Sequence, residues 1–150
     1  MAVIRERPYS SQNFVVDLGT GATDGPEAGF SEVIFPEARI VVQEYRNGNE
    51  KENNRRKLTT LTEYGNLILK RGVIGSLSLY QWWDQIRNGD QHAFRTVTVQ
   101  LQNEDHTAVV MTWKFIRARI VAITYSPLNA CDPEVLAETV ELAFERMEME

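Results

Sequence analysis

The sequence predicts a mainly β domain, a two-sheet β-barrel or sandwich with one amphipathic α-helix and an extended polar arm. Three observations predict it. Apolar and polar residues alternate at period two in several separate segments. Only one segment carries an unambiguous helical period, and Gly, Pro and Asn clusters punctuate the rest. With 150 residues, the chain suits a single domain spanning 1–150.

The first strand lies within Asn13 to Leu18, where Phe14, Val16 and Leu18 share one face. Gly19 to Gly29 holds four glycines and a proline and reads as a loop. Ser31 to Tyr45 favours β structure, but Pro36 removes a ladder donor and splits the stretch into two strand pieces. Arg46 to Lys57 is polar and charged, and together with Tyr45 it forms the arm, about 45–57. Asn66 to Arg71 is a further strand.

The helix covers about 77–87. Leu79, Trp82, Trp83 and Ile86 recur at i, i+3, i+4 and i+7, Ser76 offers a cap, and Asn88-Gly89 a stop. These four side chains are the expected anchor of the helix on the sheet.

Phe94 to Gln102 alternates Val97, Val99 and Leu101 with Thr and Gln, and Asn103 to His106 turns it into a hairpin with Thr107 to Tyr125. That second arm changes phase near Arg117, as expected of a long strand that bends at a bulge and serves two sheets. Ser126 to Pro133 is a loop. The last segment alternates Val140, Leu142 and Phe144 with Glu141 and Glu145, which favours a strand, with a helix as the competing assignment. The total is about seven strands.

Composition removes several function classes. A net charge of −5 argues against a protein whose main task is gripping nucleic-acid phosphates. The single cysteine, Cys131, forms no internal disulfide, and the first residues lack the apolar stretch of a secretory signal, so synthesis in the cytoplasm is expected. No run of about 18 apolar residues suggests a membrane span, and no stable membrane association is expected.

The two histidines, His92 and His106, and Cys131 lack paired zinc spacing, so no metal site is expected. The Gly-x-Gly after the first strand opens no helix, which leaves nucleotide or other cofactor binding unsupported. No nucleophile elbow is present, and no catalytic residues are assigned. A small-ligand-binding β-barrel would need a convergent polar site, and none is evident. Two features survive: the polar arm, and strands with uncharged polar faces that suit assembly with further copies of the chain.

Several motifs carry a family resemblance. They are Glu44-Tyr45-Arg46, Gly48-Asn49, Tyr64-Gly65-Asn66, Leu69-Lys70-Arg71-Gly72, Trp82-Trp83, Asn103 to His106 and Thr112 to Phe115, in that order. Across Gln12 to Met147 the chain resembles the tail tube proteins of contractile phages. It is most similar to the inner-tube proteins of extracellular contractile injection systems of the antifeeding prophage and Photorhabdus virulence cassette type, with the hemolysin-coregulated proteins of type VI secretion as more distant kin. Ile34-Phe35-Pro36 departs from the small turn of many relatives.

The resemblance implies a non-enzymatic structural subunit. Hexameric rings would stack into a hollow tube inside a sheath, with baseplate and tube-terminating proteins as partners and a protein or DNA cargo in the lumen. The particle would be assembled in a bacterial cytoplasm and released. Tyr45, Arg46, Asn49, Arg55, Arg56 and Lys57 are the expected subunit-contact arm, the three basic residues pairing with acids on a neighbour. The polar positions Thr96, Thr98 and Gln100, or Thr139, Glu141 and Glu145, are the expected lumen-facing residues. A phage tube conducting DNA and a type VI ring protein are the alternatives within the same fold.

Overall fold

The computed structural model describes residues 1–150 except Ala22 and Asp24. Nine strands and one α-helix are formed among the described residues. In chain order they are β1 (Phe14–Asp17), β2 (Phe30–Ile34), β3 (Ala38–Tyr45), β4 (Arg56–Tyr64), β5 (Leu67–Gly72), α1 (Ser78–Arg87), β6 (Arg95–Gln102), β7 (Val109–Tyr125), β8 (Ala137–Ala143) and β9 (Arg146–Met149).

Seven strands make one continuous antiparallel path, β1-β6-β7-β8-β5-β2, with β9 also on β7. β7 is the shared element. Its first half pairs with β6 and β9, and its second half pairs with β8. The path has two free ends and does not close, so of the two expected architectures the sandwich-like one is realised.

The predicted phase change on β7 has a local cause. Arg117 adopts a positive φ of 55°, and the register with β6 shifts between the pairs Val97–Phe115 and Arg95–Ala118. The stripe buried before it ends at Phe115, and Ala118 and Ile120 carry burial onward. A second irregularity places Val121 as an extra residue between Ile120, opposite Leu142, and Ala122, opposite Glu141.

The core joins both layers: Val16, Val97, Val99 and Phe115 meet Leu67, Leu69, Ile120, Val140 and Leu142. α1 adds Leu79 and Trp82. The Asn103–His106 turn is locked by the Asn103 side chain, whose Oδ1 accepts the Thr107 N–H at 2.8 Å. At the chain end the alternating segment is strand, as β8, because Val140 and Leu142 face the core.

One charged pair lies inside. Arg71 Nε donates to Glu138 Oε1 at 2.5 Å, with both side chains nearly fully buried. Arg71 Nη1 also donates to the Glu27 carbonyl at 2.6 Å and so ties the Pro26–Ala28 turn to the sheet, while Ala22 and Asp24 of the expected 19–29 loop lie outside the described residues. Such a pair gains little net stability once desolvation is counted, but breaking it by removing one partner costs about 3–5 kcal/mol.

Two strands exceed the sequence expectation, β4 and β9. β4 pairs with β3 alone, forming a separate two-stranded ribbon, and a bulge inserts an extra residue in β4 between Thr59 and Thr62. That bulge breaks the period-two pattern of Leu58 and Leu61, which is why no strand is expected from the sequence between the arm, which ends at Lys57, and Asn66. β9 is only four residues long, too short for alternation to register.

Candidate assembly surfaces

The expected arm is the outer half of the β3–β4 ribbon. Glu44 lies opposite Lys57 and Tyr45 opposite Arg56, so the arm's basic run begins in the tip loop and continues into β4. Arg46 faces the tip itself: Nη2 donates to the Glu50 carbonyl at 2.9 Å and Nε to the Glu52 carbonyl at 3.0 Å. It therefore shapes the loop from within. Tyr45 Oη donates to Asn47 Oδ1, and Asn49 is exposed at the tip.

Arg55 pairs with Glu44 at 2.8 Å and Arg56 with Glu50 at 3.0 Å, both inside the same ribbon. The hydrogen bond from Arg55, and then its charge, hold the Glu44 carboxyl below its ordinary range. Solvent screens these exposed pairs, so they add little to stability. They set the shape of the tip without anchoring the ribbon to the body.

Every residue from Arg56 to Glu63 is exposed, as are Ile40 and Val42 on β3. Ile40 is 54% exposed and Leu61 73%. An isolated two-stranded hairpin is marginal in water, and this one also shows apolar side chains to solvent. Its physical chemistry is that of a segment completed by contact with another surface.

The helix residues divide by depth. Leu79 and Trp82 are fully buried, and the Trp82 indole N–H donates to the Ala93 carbonyl at 2.8 Å. The Arg95 guanidinium lies 4.4 Å from the Trp82 ring centroid, and its burial there lowers the Arg95 pKa. Trp83 and Ile86 pack against the core only partly. Trp83 instead carries Arg87 over its face at 4.7 Å and stands 6.3 Å from Tyr80, centroid to centroid.

The residue at the N-cap is Leu77, not Ser76. Ser76 Oγ still accepts the Ser78 N–H at 3.3 Å, from one position earlier, and donates to Glu27 Oε1.

The polar alternate positions fall on two different layers. Thr98 and Gln100 point away from the core on β6, Thr98 opposite both Lys114 and Asp17, and Gln100 opposite Thr112 and Val15. Thr96 is exposed on the same strand. Thr139 and Glu141 occupy the outer face of β8, Thr139 opposite Lys70 and Thr124. Glu141 accepts the Asn66 side-chain amide at 2.7 Å. Glu145 sits between β8 and β9, within 3.7 Å of Arg117 and 3.9 Å of Arg119. Outer faces of two packed layers look in opposite directions, so the two sets line different surfaces.

Sequence reasoning missed a groove beside α1. Tyr80, Trp83, Val121, Ala122, Ile123 and Tyr125 line an open cleft of about 360 Å³. The Tyr125 phenol is pushed up by burial and then by the negative charge of Glu138. Val121 reaches this surface because of the β7 bulge, which only strand pairing reveals. Among the described residues no group of three or more His, Cys, Asp or Glu is placed to hold a metal ion, and no helix is long and apolar enough to cross a membrane.

Known proteins share this architecture over the whole chain. A chain of the 6-fold symmetrised anti-feeding prophage baseplate is 25% identical, with a TM-score of 0.82 and 97% of each chain covered. A chain of the PVC sheath-tube complex in its extended state, an extracellular contractile injection system, is 24% identical with a TM-score of 0.80, covering 97% of this chain and 93% of that one. Hcp1 from Flavobacterium johnsoniae shares the fold more loosely, at 16% identity and a TM-score of 0.56, covering 91% and 93%. No curated protein sequence matches. The profile of the T4-like virus tail tube protein gp19 family matches residues 10–148, and with nearly the whole chain inside that match the protein belongs to this tail tube family.

Proposed function

We propose that the protein is the inner-tube subunit of a contractile, phage-tail-like injection particle, forming hexameric rings that stack into a hollow conduit. The observation that carries this reading is the whole-chain match to the tail tube family, joined to a ribbon that exposes apolar residues on both of its strands. Sheath, baseplate and tube-terminating proteins are its partners in the particle, and the tube conducts a protein or DNA cargo.

In this reading the work is mechanical. Covalent chemistry is not required: stacked rings transmit force as long as subunit contacts hold, and ring closure satisfies the free strand edges of β1 and β2. One of the two polar outer faces, Thr96, Thr98 and Gln100 or Thr139, Glu141 and Glu145, lines the lumen. Acidic side chains there repel polyanions, uncharged ones do not attract them, and both offer few apolar holds, so cargo slides.

The arm residues Tyr45, Arg46, Asn49, Arg55, Arg56 and Lys57 make contacts between subunits. Arg55 and Arg56 already have partners within the ribbon, so they engage a neighbour by sharing or exchanging those pairs. Replacing Arg55, Arg56 and Lys57 together by Glu should leave the fold intact, because all three are exposed, and should abolish sedimentable tubes that the wild-type chain forms. Normal tubes from the triple variant would remove the arm from the account.

A further inference from the structure

We propose that the groove between α1 and β7 receives the β3–β4 ribbon of a second copy of this chain, an inference that rests on the tube reading and names its contact. β8 and β9 follow one another along one side of β7, with Ala143 opposite Arg119 and Arg146 opposite Ile116. β6 occupies the other side only as far as Ala118. Beyond that point, among the described residues, the edge of β7 has no strand beside it, and the groove lined by Tyr80, Trp83, Val121 and Tyr125 opens there. An unpaired strand edge flanked by apolar side chains is a surface onto which another strand adds, backbone groups giving affinity and alternate side chains giving register.

The ribbon matches this surface in shape and in charge. It offers extended backbone with Ile40, Val42, Leu58 and Leu61 exposed. Residues 38–64 carry six Lys and Arg against four Asp and Glu, whereas the remainder of the chain carries ten against seventeen. The loop that follows the groove, residues 126–136, adds Asp132 and Glu134 without any Lys or Arg, together with the exposed Leu128 and Val135. A basic, apolar ribbon thus has as its counterpart on the same chain an apolar groove, with Arg87 over its Trp83 ring, and beside it a loop whose charges are all acidic.

Within one copy the root of the ribbon and the groove lie toward opposite ends of the sheet. The ribbon leaves the body at Pro36-Glu37 and returns at Gly65, beside the end of the sheet where Leu67 lies opposite Leu142. The groove lies toward the other end, where Tyr125 lies opposite Glu138. β2 runs toward the ribbon's root, away from the groove end of the sheet, and β4 stays exposed from Arg56 to Glu63. A donor at one end and a receptor at the other make a head-to-tail contact, the kind that propagates into rings or stacks rather than stopping at a pair.

Cysteine cross-linking tests this in the full-length chain. In a Cys131→Ser background, Leu61→Cys is combined with Val121→Cys, and Val42→Cys with Tyr125→Cys as a second pair in case the first side chains do not meet. All four positions are exposed. Assemblies treated with a flexible bis-maleimide should give a ladder of covalent multimers for at least one pair, and each cysteine alone should give dimers at most. Tubes that form but yield no ladder from either pair would overturn the groove assignment and leave the tube reading standing. Cross-links to a co-produced sheath protein in place of the ladder would assign the groove to that partner. Absence of any assembly by the parent chain would overturn the tube reading and this inference with it.

Discussion

Trp82 and Trp83 are adjacent in sequence and opposite in environment. Trp82 is buried with its N–H bonded to the Ala93 carbonyl, whereas Trp83 is half-buried under Arg87. The helical spacing of Leu79, Trp82, Trp83 and Ile86 reveals the apolar stripe, but not which tryptophan lies at its centre. That is settled by how α1 seats on β7, a tertiary fact. Trp82→Ala should cost about 3–5 kcal/mol, which in a chain of this length lowers the melting temperature by roughly 10 °C. Trp83→Ala should cost clearly less. Thermal melts of the two variants check this, and equal losses would show that the anchor is shared. Phe35 teaches a similar lesson. In sequence it belongs to the departure Ile34-Phe35-Pro36, and in the fold its ring stacks near Trp113 at 4.7 Å and Phe115 at 6.5 Å, which roots the ribbon against the core.

Elements with a regular pattern that faces the core were legible: β1, β5, β6, β8 and α1 follow from alternation or helical period. Those shaped by pairing were not. β4 loses its alternation to a bulge, and the Val121 bulge that builds the groove leaves no mark on the sequence. The N-terminal segment is a further element that composition does not disclose. Val3 N–H donates to the Val110 carbonyl at 2.9 Å, Tyr9 Oη to the Val3 carbonyl, and Arg5 grips Glu104 with two hydrogen bonds at the tip of the β6–β7 hairpin. Chiefly through the hydrogen bond from Arg5, the Glu104 carboxyl is lowered to about 2. A depressed carboxylate pKa means that the clasp is fully formed above the ordinary glutamate range and is lost as pH falls through that range toward about 2. An NMR titration should find the Glu104 midpoint near 2 in the wild type and back in the ordinary range in Arg5→Ala. An ordinary midpoint in both would show that the clasp does not persist in solution.

At the scale of the molecule, one open antiparallel path and one separate two-stranded ribbon carry everything the account requires. β7 joins the two layers, Arg71 of the buried Arg71–Glu138 pair holds the Pro26–Ala28 turn to the sheet, and the root of the ribbon and the groove sit toward opposite ends of β5 and β8. The family was legible because seven short motifs occur in order along the chain. The two surfaces of the proposed contact differ in legibility: the arm is visible in the sequence by its polarity, whereas the groove depends on a bulge and on a strand edge left unpaired. The central claim is that this chain polymerises by directional contacts between identical copies. Electron microscopy of the purified protein over a range of concentration and salt tests it most directly. The account predicts six-fold rings stacked into hollow tubes, and uniform monomer-sized particles under every condition would contradict it.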